Sequence, residues 1–358
     1  MEQLAQTLDN LYRSYGYMPY TMSKFEEYEL YLRNKDFLVS DRILTFTDTD
    51  GKLMALKPDV TLSIIKNTND APGGIQKVYY RENVYRPGKS DQGFREIMQV
   101  GLECMGAVDS YCILEVMLLA VKSLRTISRQ CVLDVSHMGL LSWLLDKSGL
   151  TGEVRSCVLE SISSKNAHEI RRLCETADAP WQELVQIATL SGSAAEVMPA
   201  LEKIFTGAEE LGQFKQLLSA LEASGADCIN VDFSVINDMN YYNGIVFRGF
   251  IQGVPAGVLS GGQYDGMMAK MKRSGKAIGF ALYPDLLERL TVPTRTYDVD
   301  AVLVYDETAE LTAVAAAVES LTQKGMRVSA QPGSRGDIRA ARCYRLEGNE
   351  VKCVETNA

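Results

Sequence analysis

From Arg95 onward the chain alternates in character, with Arg95, Gln99 and Glu103 at odd positions and Met98, Val100, Leu102 and Cys104 at even ones. Successive side chains of a strand point to opposite faces, so the pattern predicts a strand with one face on a core and the other displaying polar groups. At about 3.4 Å per residue the three polar groups span roughly 27 Å, a layout suited to a small polar ligand. On pattern alone, a half-solvated antiparallel strand fits equally well. The preceding YYRENVYRP and a polar loop make the whole stretch KVYYRENVYRPGKSDQGFREIMQVGLECM read as two joined strands.

Elsewhere the periodicity changes along the chain. Leu4, Leu8, Leu11 and Tyr15 recur at helical spacing, DRILTFTDTDGKLMALKPD predicts a hairpin turning near Asp50 and Gly51, and Ile113, Val116, Met117, Ala120 and Leu124 share a second helix face. From about 138 to 225 the texture is helical, with leucine-bearing segments punctuated by Gly139, Gly149 and Gly152. Strand character returns at Cys228 to Ile236 and Gly244 to Phe250, followed by the glycine-rich SGGQYDGMM and an expected helix after Gly279. Pro293 and TRTYD mark a linker, which predicts a domain over 1–292 and a short α/β segment over 293–358. In that segment Val299 to Val304 reads as a strand. Leu311, Val314, Val318 and Leu321 share a helix face, Gly325 ends the helix, Met326 to Ala330 is strand-like, and VKCVE is a possible last strand. The tail of about 28 residues is small for a domain of its own and is expected to pack on the main body or on a partner.

Composition narrows the function classes. With 358 residues, 46% hydrophobic and 23% charged, the chain is ordinary for a globular protein of two or three domains. A net charge of −9 and a pI near 5.0 argue against a nucleic-acid partner, while leaving room for a local basic patch. No apolar run is long enough for a membrane span and the N-terminus reads as an amphipathic helix, so a cytoplasmic location is expected. Eight cysteines without a CxxC pair and only two histidines, His137 and His168, define no zinc cluster, and no cofactor is implied. Reduced, mostly buried thiols are expected.

Individually the motifs are ambiguous. SGGQYDGMM lacks the lysine of a P-loop and the spacing of a dinucleotide fingerprint, so a tight backbone approach is the better reading. In LKPDVT, Asp59 or Thr61 could simply cap a helix. In MNYYNGIVF, one of the two tyrosines on a strand would face the core and the other could line a pocket.

Taken in order, LKPDVT, VYRPGKSDQGFREIMQVGLECMG, MNYYNGIVF, SGGQYDG and AIGFALYPDLL resemble the catalytic domain of class II histidyl-tRNA synthetases over roughly residues 1 to 290. The resemblance implies an α+β fold, with a six- to seven-stranded, mainly antiparallel sheet flanked by helices and a helical insertion. It places Asp59, Thr61, Gln99, Glu103, Tyr241, Tyr242 and Tyr264 around a histidine-like amino acid. It counts Arg95 in that pocket and Arg86 in a residual nucleotide site, both matching the motif 2 arginines that hold ATP and the acyl phosphate. Asp59 is one methylene shorter than the usual glutamate. The arginine that opens the family's RGLDYY motif is Asn237 here and its aspartate is Asn240. Gln263 stands in GGRYDG, and Leu286 aligns with the motif 3 arginine, which Arg289 could replace only with a shifted helix register. An amide cannot supply the charge that a guanidinium gives a reacting phosphate, so aminoacylation and tRNA binding are expected to be absent. The chain thereby resembles the regulatory subunits of ATP phosphoribosyltransferase, synthetase-like paralogues that assemble with a short-form catalytic subunit for the first step of L-histidine biosynthesis. That resemblance implies a dimer within a hetero-octamer and L-histidine as a possible effector, although Ser23 replaces the motif 1 proline of the class II dimer. A histidine-tRNA ligase, or another synthetase-like amino-acid-binding protein, is the alternative.

Overall fold

The amphipathic N-terminal segment forms α1 (Glu2–Ser14), whose Leu8 and Tyr12 enter the same core as Val116, Ala120 and Leu124 of α4 (Ser110–Ile127). Asp109 starts α4 by accepting the Cys112 N–H at 2.9 Å, and the Tyr12 hydroxyl meets Ser123 Oγ at 3.0 Å. The computed structural model describes residues 2–38, 40, 42–68, 73–88, 93–236, 241–287, 297–334 and 336–356. Two compact units make up the chain, Met1–Leu290 and Thr291–Ala358. Among the described residues no helix is long and apolar enough to cross a membrane.

After α1 come β1 (Met18–Pro19), β2 (Phe25–Glu27), α2 (Tyr28–Arg33), β3 (Thr45–Thr47), β4 (Leu53–Leu56) and α3 (Thr61–Lys66). Strands β2, β4 and β3 form a small sheet, and Gly51 at φ +83° turns the expected hairpin. Then β5 (Ile75–Pro87) and β6 (Phe94–Gly106) pair antiparallel along their whole lengths, from Ile75 opposite Gly106 to Pro87 opposite Phe94. Beyond α4 and β7 (Cys131–His137) lie α5 (Met138–Lys147), α6 (Gly152–Ser163), α7 (Ala167–Thr176) and α8 (Gln182–Thr189). The two-residue β8 (Ser191–Gly192), α9 (Ala194–Ile204) and α10 (Glu210–Ala223) follow. His137 caps α5 with Nδ1 as acceptor for the Leu140 N–H at 3.2 Å. Burial lowers its pKa to about 4, which keeps that nitrogen unprotonated.

The chain re-enters the sheet through β9 (Ile229–Asp232), β10 (Ile245–Ile251) and β11 (Leu259–Gln263), then α11 (Asp265–Lys270) and β12 (Lys276–Leu282). The nine strands run in the order β1-β5-β6-β12-β11-β10-β7-β9-β8. Neighbours are antiparallel except for β1 with β5 and β7 with β9. Setting aside the two-residue β1 and β8, seven strands carry the sheet, in line with the class II expectation. The expected helix after Gly279 does not begin there: Gly279 is mid-strand in β12, paired with Glu103 on one side and Gly262 on the other, and among the described residues the 3-10 turn Pro284–Leu287 follows the strand. An apolar run such as KAIGFAL, buried on both faces, has no amphipathic period to tell strand from helix.

Of the two readings left open for β6, the half-solvated strand does not hold around Gln99 and Glu103. Val100, Leu102 and Cys104 pack on the main core, while Met105 joins Val78, Tyr80 and Val84 in another apolar cluster on the opposite face. Gln99 and Glu103 lie beneath that second cluster, only 3% and 2% exposed. Both faces of this part of the sheet are therefore covered.

In the second unit, β13 (Val299–Tyr305), α12 (Leu311–Gln323) and β14 (Val328–Pro332) match the expected unit, with Gly325 at φ +78° past the helix end. The strand starts at Val328 rather than Met326, and Leu311 is 82% exposed, off the buried face of its helix. The tail is not an appendage needing another body: β15 (Ala340–Glu347) and β16 (Glu350–Thr356) complete a four-stranded sheet, β14-β13-β15-β16. β15 runs parallel to β13 and turns back into β16, so backbone hydrogen bonds anchor the tail within its own unit. Asp298 and Asp300 at the start of β13 pair with Arg339 and Arg327, at 2.9 and 3.0 Å.

Candidate functional site

The site is assembled around Glu103. Register places it opposite Val78 on β5 and Gly279 on β12, and a Cβ on Gly279 would stand 1.7 Å from Glu103 Oε2 and 2.5 Å from the Leu102 carbonyl. Only glycine leaves room for the carboxyl to lie there. Thr61 Oγ1, at the start of α3, donates to Glu103 Oε1 at 2.9 Å, and the Tyr264 hydroxyl donates to Oε2 at 2.5 Å. Burial pushes the Glu103 pKa up to about 8, and the negative charge of Asp59 adds to it. The Tyr264 and Thr61 hydrogen bonds offset part of the rise.

Asp59 plays the capping role, accepting the Leu62 N–H at 2.9 Å. It also faces Arg86, with Nη2 and Oδ2 3.7 Å apart, while Arg86 Nε donates to the Pro58 carbonyl at 2.7 Å. Burial raises the Asp59 pKa, and the Arg86 charge and the backbone N–H groups of Leu62 and Thr61 oppose it.

Tyr241 and Tyr242 sit on the turn before β10, not on the strand, so the expected strand alternation does not govern them. Their rings are 4.5 Å apart, and Tyr241 meets Tyr264 edge-on at 6.0 Å. The tyrosine turn is tied to the glycine-rich strand. Asn243 N donates to the Gln263 carbonyl at 3.1 Å, Ile245 N to Gln263 Oε1 at 2.9 Å, and Asp265 N to Asn243 Oδ1 at 3.1 Å. SGGQYDG is thus a close backbone approach: Cβ atoms on Gly261 and Gly262 would meet the Gly279 and Ile245 carbonyls at 2.3 and 2.6 Å. Tyr242 lies over Gly262, its Cδ1 2.6 Å from where a Cβ would be.

Tyr80 escaped the sequence reading. Its hydroxyl lies 2.6 Å from a Cβ placed on Gly101, the residue directly opposite it on β6, and it belongs to the same buried cluster as Tyr264. The signal was available in the alternation Val78, Tyr80, Glu82, which faces Glu103, Gly101 and Gln99 across the pair. Burial raises the pKa of Tyr80, Tyr241, Tyr242 and Tyr264 well above the usual phenol value, with the Glu103 carboxylate contributing. All four are neutral phenols.

Asp59, Thr61, Glu103, Tyr241, Tyr242 and Tyr264 therefore come together. Gln99 is buried on the same face four residues along β6, opposite Glu82. Arg95 is exposed at the hairpin's far end, opposite Arg86. Leu286 is 36% exposed on the 3-10 turn, and Asn237, Asn240 and Arg289 lie outside the described residues. Carboxyl, hydroxyl and phenol groups packed this way can select a small hydrogen-bonding cation, and the Arg86 guanidinium stands at the edge of the cluster, engaged by Asp59 and the Pro58 carbonyl.

A family model described as histidyl-tRNA synthetase matches residues 1–287. The chain belongs to the histidyl-tRNA synthetase family. Within it, curated relatives include an ATP phosphoribosyltransferase regulatory subunit of Oceanobacillus iheyensis, 26% identical over 96% of this chain and 88% of that one. Another from a Synechococcus strain is 29% identical over 82% and 72%. Among solved structures, a Bacillus halodurans protein described as an ATP phosphoribosyltransferase regulatory subunit/histidyl-tRNA synthetase superposes with a TM-score of 0.77, at 21% identity over 94% of this chain and 90% of that one. A chain of the ATP phosphoribosyl transferase (HisG:HisZ) complex from Thermotoga maritima gives 0.63, at 20% identity over 78% and 96%. These two likenesses establish the shared synthetase-like fold.

Proposed function

We propose that this chain is the regulatory subunit of an ATP phosphoribosyltransferase, required with a short-form catalytic subunit for the first step of L-histidine biosynthesis. The observation that carries the reading is the near full-length match to relatives of that name, spanning 96% of this chain in the Oceanobacillus case. The site's chemistry supports the absence of aminoacylation: the side chain of Gln263, where synthetases carry an arginine, is engaged with a backbone N–H, and Leu286 offers no charge. The subunit works in the cytoplasm without tRNA, as a dimer inside a hetero-octamer. Co-expression with a short-form catalytic subunit should give a co-eluting complex with phosphoribosyltransferase activity that neither chain has alone. Failure to co-elute or to restore activity overturns the reading. Histidine-dependent pyrophosphate exchange by this chain would restore the ligase alternative.

The cluster around Glu103 supports L-histidine as the effector, bound through Asp59, Thr61, Gln99, Glu103 and the tyrosines, with Arg95 too far along the strand to reach it. For feedback, the ligand must bind one assembly state more tightly than the other. A cationic group arriving beside Glu103 displaces its proton, so calorimetry at pH 7 in buffers of different ionisation heat should register proton release. No histidine binding by this chain, alone or in complex, removes the pocket as the sensor.

A further inference from the structure

A cavity of about 200 Å³ opens along the outer edge of β5, lined by Lys24, Lys57, Arg81, Glu82, Asn83 and Met98. β1 pairs with Val78 and Tyr79, beyond them that edge of β5 has no strand partner among the described residues, and the Lys57 backbone lies against it through the Tyr85 N–H at 2.9 Å. Arg81 and Asn83 point to the face opposite Tyr80 and Glu82. None of the residues around Glu103 lines this hollow.

The hollow's charge is opposite in sign to that of the chain. Three cations and one carboxylate give it a surplus of two positive charges, in a protein of net −9. Glu82 is already engaged: it is ion-paired with Lys57, which is only 1% exposed, and its Oε1 accepts the Met22 N–H at 3.2 Å. Among the described residues neither Lys24 nor Arg81 forms an ion pair. Two more carboxylates lie beside the lining. Glu96 accepts from Asn83 Nδ2 at 2.6 Å and from the Tyr85 hydroxyl at 2.9 Å, and Asp285 Oδ2 accepts the Met98 N–H at 2.9 Å, so counting both neighbours leaves the surroundings formally balanced. What favours an anion is the pair Lys24 and Arg81 on one concave surface, while the carboxylates are held by other donors, and a guanidinium offers the paired N–H geometry that tetrahedral oxyanions accept.

We propose that this hollow binds a compact phosphoryl oxyanion, with Arg81 and Lys24 as its direct partners and Lys57 supplying field from behind. At about 30 Å³ per water in the liquid, the volume holds roughly seven waters. That accommodates inorganic phosphate or pyrophosphate but not a whole nucleotide. The proposal does not depend on the regulatory function, because its test needs only this chain.

The full chain is titrated with inorganic phosphate and, separately, with pyrophosphate at low ionic strength, followed by calorimetry and phosphorus NMR. Saturable binding of at least one ion is expected, and the stronger of the two identifies which phosphoryl species the site takes. The Arg81→Ala and Lys24→Ala double variant, both changes on exposed side chains, should bind at least tenfold more weakly with an unchanged melting temperature. Arg345→Ala, an exposed arginine of the second unit, should bind as the parent does. Absence of saturable binding at millimolar phosphate and pyrophosphate overturns the proposal, as does an unchanged affinity in the double variant or an equal loss in Arg345→Ala.

Discussion

The two ends of the β5–β6 hairpin carry opposite designs. Near Glu103 the polar groups are buried and bonded to one another: Thr61 and Tyr264 hold the carboxyl, and Tyr80 and Tyr242 lie over glycines. At the far end Arg86 and Arg95 face each other across the register close to solvent, and Arg86 is held by Asp59 and the Pro58 carbonyl. Buried groups hold one another in place because each unmade bond is costly, whereas the exposed Arg95 keeps water as an alternative partner and the half-buried Arg86 leans on Asp59. The difference teaches which end of the hairpin tolerates change without loss of the fold. The Glu103 end is part of the core, and the Arg95 end is not.

The largest expected effect is at Gly279. Gly279→Ala forces a methyl into Glu103 and the Leu102 carbonyl and should cost about 3 kcal/mol or more in urea unfolding. At the hairpin's other end Gly93→Ala, at φ +74° with open space around it, should cost about 1 kcal/mol. Equal costs would dissolve the contrast.

Glu103 should next reveal itself through pH. Folded, it holds its proton to about pH 8, while the unfolded chain releases it near 4.5. Between those values the folded state binds more protons, so this group makes stability fall as pH rises, by up to about 1.4 kcal/mol per unit. Glu103→Gln should flatten that slope between pH 5 and 8. An unchanged slope would mean that Glu103 is ionised in the folded protein.

Tyr264→Phe sharpens the same end. It removes a hydroxyl from a buried carboxyl and should cost about 1–3 kcal/mol. The Glu103 pKa should rise further, since that hydrogen bond lowers it. Carbon-detected NMR titration of the glutamate carboxyls reads the shift directly. The smallest effect belongs to Arg95→Ala, expected within about 0.5 kcal/mol of the parent in urea unfolding. A larger loss would show that the exposed end also carries fold stability.

Much of this was legible in the residues. The alternation through Arg95, Gln99 and Glu103, the hairpin at Gly51, α4 and the helical run after His137 all follow from local period and turn chemistry. Three features were not. The β12 strand hid in an apolar run without amphipathic period. Of the tail's strands, β16 was legible in VKCVE, whereas β15 became readable only through its pairing with β13, and Tyr80 matters because a glycine lies opposite it.

The sequence by itself determined that β6 alternates, that its polar set includes a carboxyl and an amide, and that glycines recur where strands approach closely, because side-chain period and Cβ sterics are local properties. Only the tertiary structure decided that Gln99 and Glu103 on this polar face are buried while Arg95 stays exposed. The residues covering the buried pair come from the segments around Tyr31, Ile64, Tyr241 and Met267, far away in the chain. Whether a carboxyl meets water or a tyrosine depends on what folds over it, and no period along one strand encodes that.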